Sequence, residues 1–148
     1  MTQLTTLDEL ERHLIRLGKV EVSDALFVSC YLNLEDGAEG GRAALTERAN
    51  LLRSTVPGNN LAELGRALCA IDNYLAAEIL PDAKGVAIFV RDDFWGFLLP
   101  IQFSIPVPNL IAVRTTPSIQ PLVKLRDCYL PHDGQLTTAR CARILDWM

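Results

Sequence analysis

This sequence of 148 residues has no long apolar run and no recognisable targeting segment. Its most apolar stretch, Phe94–Phe103, is broken by Gly96 and Pro100 and is too short to span a bilayer. The N-terminus has acidic residues in its first turns, where a signal peptide would have a basic segment followed by an apolar one. We therefore expect a cytoplasmic protein that does not enter a membrane.

Paired cysteine motifs are also missing. Of the four cysteines, Cys30 and Cys69 lie among apolar neighbours in the sequence, where a thiol behaves as a small hydrophobic side chain. In a reducing cytosol we expect all four to be free thiols. Cys128, His132 and Cys141 are the best candidates for soft metal ligands, but structural zinc favours four ligands in paired spacings. The sequence therefore predicts no metal site and no cofactor.

Basic residues are scattered singly, without a cluster. The chain has 14 lysines and arginines against 18 acidic residues, a formal net charge of −4 and a pI of about 5.1. Affinity for nucleic acid depends on several cations that neutralise phosphates together. We expect no strong autonomous nucleic-acid binding, although a local basic face stays open.

No catalytic constellation is recognisable. The two histidines include His13, which lies off the apolar stripe of the first helix, as a surface histidine would. Neither Ser29 nor Cys30 lies on a glycine-rich nucleophile elbow, and no glycine-rich phosphate loop follows a strand. Asp92-Asp93 is typical of a turn rather than of an acid–base pair. The sequence predicts a protein that is not an enzyme.

What the chain does have is the composition of a globular domain. Hydrophobic residues make up 49% of it and charged residues 22%, and its length is near that of a single domain. Thr6 and Glu9 form a capping box for a helix over Leu7–Leu17. Alternating side chains predict a strand over Ala25–Leu34, and Gly40-Gly41 predicts a loop after it.

Two amphipathic helices follow, joined by a short polar link. The first ends at Pro57-Gly58, and the second begins after Asn59-Asn60 and stops before Pro81. So short a link predicts an antiparallel helical hairpin. The apolar stripe that we expect to face the core consists of Leu64, Leu68, Ile71 and Leu75.

The second half of the chain predicts three more strands. Val86–Arg91 and Phe94–Leu99 flank Asp92-Asp93, which suggests a hairpin with a two-residue turn. Both faces of these strands are apolar, so we expect helices on both sides of the sheet. Leu110–Arg114 is the last strand, whereas Ile105–Pro108 contains too much proline to be a central one.

Two helices are expected at the end, from Pro117 to about Leu125 and from about Thr138 to Trp147. The predicted fold is therefore α+β: a mostly antiparallel four-stranded sheet covered by helices, in the order α-β-α-α-β-β-β-α-α. We expect residues 1–148 to form a single domain.

The aromatic side chains around the predicted hairpin are the candidates for a binding surface. Phe94, Trp95 and Phe97 either belong to the core, which is the commoner arrangement, or form an exposed patch that binds a partner.

Several segments resemble the N-terminal domain of the bacterial relatives of the archaeal and eukaryotic peptide-chain release factors. The resemblance covers Asp24–Leu125 and lies in a Gly-(apolar)4 strand at Gly85–Phe89, a second strand at Phe97–Pro100, a Val-Pro-Asn approach at Ile105–Asn109, and a Pro-x-x-x-Pro-Leu helix at Pro117–Leu122. It implies a translation- or ribosome-associated role for the chain.

Two departures from that family limit the activity that the resemblance implies. Decoding release factors read stop codons with an Asn-Ile-Lys-Ser element between the paired helices, where this chain has Thr55–Asn60 and no lysine. Their Gly-Gly-Gln loop lies in a following domain for which we expect no room here, and Gly40-Gly41-Arg42 is no substitute because arginine cannot accept a proton. The tail from Arg126 to Met148 is atypical of the family.

We therefore expect a non-enzymatic interaction module, associated with translation or the ribosome, that neither reads stop codons nor releases peptides. The alternative is a small accessory or effector-type protein that binds a protein partner through an apolar, aromatic surface. A homo-oligomer is compatible with either hypothesis.

Overall fold

The computed structural model describes residues 4–20, 25–91 and 96–129, and the predicted final helix lies outside these ranges. The described elements run α1 (Leu7–Gly18), β1 (Phe27–Asn33), α2 (Gly37–Arg53), a short 3-10 turn (Gly58–Asn60), α3 (Leu61–Ala77), β2 (Gly85–Arg91), β3 (Phe97–Phe103), β4 (Leu110–Arg114) and α4 (Gln120–Tyr129). This confirms the α+β class and the predicted order up to α4.

The four strands form one open sheet in the order β3-β2-β1-β4, and every neighbouring pair is antiparallel. Because side chains alternate along each strand, the sheet separates two apolar clusters. On one face α1 and α4 cover Phe27, Tyr31 and Phe89. On the other face α2 and α3 cover Val28, Cys30 and their neighbours. The predicted coverage of both faces is therefore confirmed.

The predicted stripe of α3 lies in the second cluster. Leu64 and Ile71 are fully buried, and Leu68 and Leu75 are nearly so. The helical hairpin of α2 and α3 is also confirmed, since the two helices are joined by only seven residues that include the short 3-10 turn. The N–H of Leu26 donates to the Glu63 carboxylate at 2.9 Å, which ties the start of α3 to the start of β1.

The predicted two-residue turn between β2 and β3 is wrong. Arg91 lies opposite Phe97, so the connection is longer, and Gly96 enters β3 with a φ of +67° that favours glycine. Asp92-Asp93 itself lies outside the described residues. β3 therefore starts at Phe97 rather than Phe94 and continues to Phe103.

β3 contains Pro100, which is tolerated because β3 is an edge strand. The carbonyl of Gln102, two residues on and thus on the same side of the strand, accepts a hydrogen bond of 2.8 Å from the N–H of Thr5 outside the sheet. The nitrogen of Pro100 therefore points away from β2, where no ladder donor is needed.

The predicted loop at Gly40-Gly41 is also wrong, because both glycines lie in α2. A Cβ atom on Gly41 would come within 2.8 Å of the Leu34 side chain, so α2 packs closely against the end of β1 there. Close packing of a helix on a strand thus outweighs the loop preference of two glycines.

α4 begins at Gln120, three residues after the predicted start at Pro117. Within the described ranges, no helix combines the length and the apolar character needed to cross a membrane.

Candidate interaction site

Four strand ends meet at one end of the sheet. The first residues of β1 and β3 are Phe27 and Phe97, and the last residues of β2 and β4 are Arg91 and Arg114. Phe97 pairs with Arg91, Arg91 with Phe27, and Phe27 with Arg114. Directly opposed residues project to the same face, so these side chains form one row on the face covered by α1 and α4. These four side chains, together with Arg16 of α1, which lies over the Phe97 ring, are called the arginine–phenylalanine row.

Aromatic and cation–π contacts connect the side chains of this row. The ring centroids of Phe27 and Phe97 are 5.5 Å apart. The guanidinium carbon of Arg91 lies 6.0 Å from the centroid of Phe27, and that of Arg16, in the last turn of α1, lies 5.2 Å from the centroid of Phe97. Both distances are in the range of cation–π interactions.

Burial decreases toward the outside of the row. Phe27 is fully buried, Phe97 and Arg91 are half-buried, and Arg16 and Arg114 are exposed. Of the candidate partner-binding residues, Phe97 thus contributes both to the core and to the surface. Phe94 and Trp95 lie outside the described residues, so their role stays a prediction.

A second feature is the groove between α2 and α3, of about 510 Å³. Its main polar contact is a bidentate pair in which Arg42 donates to the two oxygens of Asp72 at 2.9 and 3.2 Å. Arg42 also contacts Glu39 at 3.2 Å, and these two carboxylates raise the pKa of the guanidinium above its ordinary value. Arg42 therefore fastens α2 to α3 and does not act as an isolated cation.

Cys69 lines the same groove and is exposed, contrary to the expectation of an apolar environment. Cys30 does match that expectation. It is fully buried in the sheet, and desolvation raises the pKa of its thiol to about 12. Neither the α2–α3 groove nor the strand places a histidine from the described residues beside a thiol.

The hydroxyls of β1 are used for structure. Ser29 is fully buried, and its Oγ accepts a hydrogen bond of 2.8 Å from the N–H of Ser118. Tyr31 donates to the carbonyl oxygen of the same residue at 2.6 Å, and burial raises the pKa of its phenol. The Ser29 hydroxyl has no described histidine partner that would make it a nucleophile.

At the opposite end of the sheet lies a polar hollow of about 500 Å³, lined by Asn33, Glu35, Asp36, Gly40, Pro108 and Asn109. Its polar groups bond to one another: the side-chain oxygen of Asn109 accepts from the N–H of Asn33 at 2.8 Å, and Asn33 donates to Glu35 at 3.0 Å. In the part of the chain that the structure describes, no cluster of three potential metal ligands is found. Of the possible ligands at Cys128, His132 and Cys141, none has a described side chain.

His13 is half-buried on α1, and desolvation lowers its pKa below 6.5 despite the opposing charge of Glu9. Sequence reasoning gave the aromatic residues of the candidate site but missed Arg16, Arg91 and Arg114. No signal along the chain links these three arginines, because strand register places Arg91 and Arg114 in one row and the packing of α1 places Arg16 over Phe97.

Comparison with known proteins shows the fold and no more. No family model matches the sequence, and no curated protein matches it significantly. A solved structure described as an archaeal protein superposes with a TM-score of 0.64 and 17% sequence identity over 84% of this chain and 37% of that one. The crystal structure of the archaeal translation termination factor aRF1 gives a TM-score of 0.62 and 16% identity over 83% of this chain and 35% of that one.

This chain thus spans little more than a third of the length of both proteins. The architecture is a release-factor-like fold, since the superposition on aRF1 covers 83% of this chain.

Proposed function

We propose that this chain is a non-enzymatic interaction module of the translation machinery, related to the N-terminal domain of the bacterial release-factor relatives. The observation that carries the proposal is the fold shared with aRF1 over 83% of the chain. The sequence motifs at Gly85–Phe89 and Pro117–Leu122 support it, because they fall on β2 and on the approach to α4 within that shared fold.

The link between α2 and α3 supports a role without stop-codon reading. It contains Pro57 and a 3-10 turn over Gly58–Asn60, and it has no lysine. The most exposed large apolar residues nearby are Leu51 and Leu61. Such a link offers apolar and amide groups, but no cation that would contact a phosphate.

Three placements support a role without catalysis. Gly40-Gly41-Arg42 lies inside α2, and Arg42 is paired with Asp72, so this sequence cannot form a flexible Gly-Gly-Gln-like loop. The Cys30 thiol is buried with a raised pKa. The Ser29 hydroxyl oxygen accepts a hydrogen bond from the backbone N–H of Ser118. A nucleophile would need access and a base, whereas Cys30 and Ser29 are fully buried and have no base beside them in the part of the chain that the structure describes.

Ribosome pelleting tests the proposal. The chain is mixed with purified ribosomes and centrifuged through a sucrose cushion, and the pellet is probed for it at two salt concentrations. We expect it in the pellet with ribosomes and in the supernatant without them, whereas an unrelated acidic protein of similar size stays in the supernatant. Absence from the pellet even at low salt contradicts the proposal.

A peptide-release assay tests the non-enzymatic part separately. Ribosomes programmed with a stop codon and loaded with labelled peptidyl-tRNA receive either this chain or a complete release factor as positive control. We expect peptide release only with the release factor.

The alternative function, a small accessory protein that binds a protein partner, is favoured by the arginine–phenylalanine row. Arginine and aromatic residues are enriched at the energetic centres of protein interfaces. Stable recovery with one non-ribosomal protein, together with absence from ribosome pellets, would favour this alternative.

A further inference from the structure

The arginine–phenylalanine row combines exposed positive charge with half-buried aromatic surface. We propose that it binds an extended acidic segment of a partner protein, whose carboxylates contact Arg16 and Arg114 and whose apolar side chain packs against Phe97. The inference rests on the proposed function, because it names the chemistry of the partner that an interaction module of this kind would bind.

Arg16 and Arg114 have no competing carboxylate among the residues that the structure describes. The ion pairs that Arg42 forms with Glu39 and Asp72 lie on the other face of the sheet, between α2 and α3. Arg16 and Arg114, by contrast, have exposed side chains that form none. Charge complementarity therefore points to an anionic partner at this end of the sheet.

The guanidinium of Arg16 is already oriented for such contacts. It lies 5.2 Å from the Phe97 ring centroid, so the ring restricts its motion while its N–H edge stays available. Arginine binds carboxylates through two parallel hydrogen bonds, and an oriented side chain loses less entropy when it does so.

The length of the row suits an extended segment. Phe97 and Arg114 are separated by three strand spacings, because β3, β2, β1 and β4 are neighbours in that order. At about 4.8 Å per spacing this is roughly 14 Å, which about four residues of extended chain cover at about 3.3 Å each. Such a segment can place one carboxylate near each end and an apolar side chain near Phe97.

Charge arithmetic favours an acidic protein over RNA. The row has two exposed arginines, Arg16 and Arg114, and two phosphate contacts would give single-stranded RNA a salt slope of only about −1.4. Protein interfaces, by contrast, gain much of their affinity from a few arginine and aromatic contacts.

Fluorescence anisotropy with a defined probe tests the proposal. The probe is a labelled octapeptide that alternates glutamate with leucine or phenylalanine, and its control has glutamine in place of every glutamate. We expect the glutamate peptide to bind at least about ten-fold more tightly, since hydrogen bonds between arginine and an ionised carboxylate are stronger than those to a neutral amide. Arg16→Gln, Arg114→Gln and Phe97→Ala should each weaken binding several-fold.

Arg53→Gln is the matched control, because it removes the same charge from an exposed arginine at the end of α2, on the other face of the sheet. We expect no change in peptide affinity for it, and circular dichroism checks that every variant is folded. Equal binding of both peptides, or an equal loss with Arg53→Gln, overturns the proposal. A uridine oligonucleotide of the same charge is tested in parallel. If it binds more tightly than the glutamate peptide, and if Arg16→Gln, Arg114→Gln and Phe97→Ala abolish that binding, the row binds RNA and the proposal is overturned.

This assay needs no ribosome, so its result is independent of the pelleting experiment. A chain that binds the acidic peptide but never pellets with ribosomes would keep the row as a binding site and contradict the translation role. If the chain does not bind the peptide, and if the Arg16→Gln and Arg114→Gln variants pellet with ribosomes as well as the unchanged chain does, the translation role is kept and the row is excluded as a binding site.

Discussion

The phenolic oxygen of Tyr31 donates a hydrogen bond of 2.6 Å to the carbonyl oxygen of Ser118, across the face of the sheet that α1 and α4 cover. The N–H of the same Ser118 donates to Ser29, two residues earlier on β1. The backbone N–H and C=O of Ser118 are thus both hydrogen-bonded to side chains of β1. This pair of contacts fixes the path of the chain from β4 into α4.

Tyr31→Phe should therefore destabilise the fold. The ring keeps its edge-on contact with Phe89, at a centroid distance of 5.7 Å, but the Ser118 carbonyl loses its donor. We expect the free energy of unfolding to fall by about 1–3 kcal/mol, the range for a buried polar group left unsatisfied. Urea denaturation of both proteins measures the difference. No measurable change would mean that water replaces the phenol.

Leu68→Ala tests the contribution of the α3 stripe to the core. Leu68 is buried in the cluster between the sheet and the helical hairpin. Truncation should cost about 2–5 kcal/mol in unfolding free energy, as for other buried leucines. Leu51→Ala is the control, because Leu51 is 66% exposed on α2 and should change stability by less than about 0.5 kcal/mol. Similar losses in both variants would show that the α3 stripe is not the core contact.

Two glycines should respond oppositely to alanine. A Cβ atom on Gly85 would lie 2.7 Å from the Ile105 carbonyl oxygen, so Gly85→Ala should force β2 away from the following loop and cost about 1–3 kcal/mol. Gly65 lies inside α3 with no atom within 4 Å of such a Cβ. Gly65→Ala should stabilise the protein by about 0.8–1 kcal/mol, the helix propensity difference. Thermal unfolding of both variants measures the signs, and two changes of the same sign would contradict this prediction.

Hydrophobic periodicity predicted the strands and helices well where residues at regular spacing share one face of the element. The alternation of Val28 and Cys30 with Ser29 and Tyr31 places the two sets in different clusters, as the sequence indicates. The turn before Phe97 was predicted wrongly, because apolar residues on both sides of Asp92-Asp93 fit several registers equally well. The pairing of Arg91 with Phe97 selects one of them.

The candidate site was predictable only in part, for the same reason. Phe97 stood out as an aromatic residue near a turn, but Arg16 and Arg114 lie far from it in the sequence. They approach it because α1 lies over β3 and because four strand ends are in register. Likewise, Gly41 lies in a helix where it packs against Leu34. Local helix propensity could not predict this, because the contact joins two different elements.

The two described cysteines should differ sharply in reactivity. Cys30 is fully buried, and its thiol pKa of about 12 leaves roughly one molecule in ten thousand as thiolate at pH 8. Cys69 is exposed in the α2–α3 groove, where its Sγ accepts a weak contact from Asn73 at 3.8 Å. We expect iodoacetamide to modify Cys69 in the native protein and to leave Cys30 unmodified, as measured by mass spectrometry of the separated peptides. In urea both should react at similar rates, which controls for the reagent. Rapid native modification of Cys30 would contradict the burial of β1 between the two helical layers.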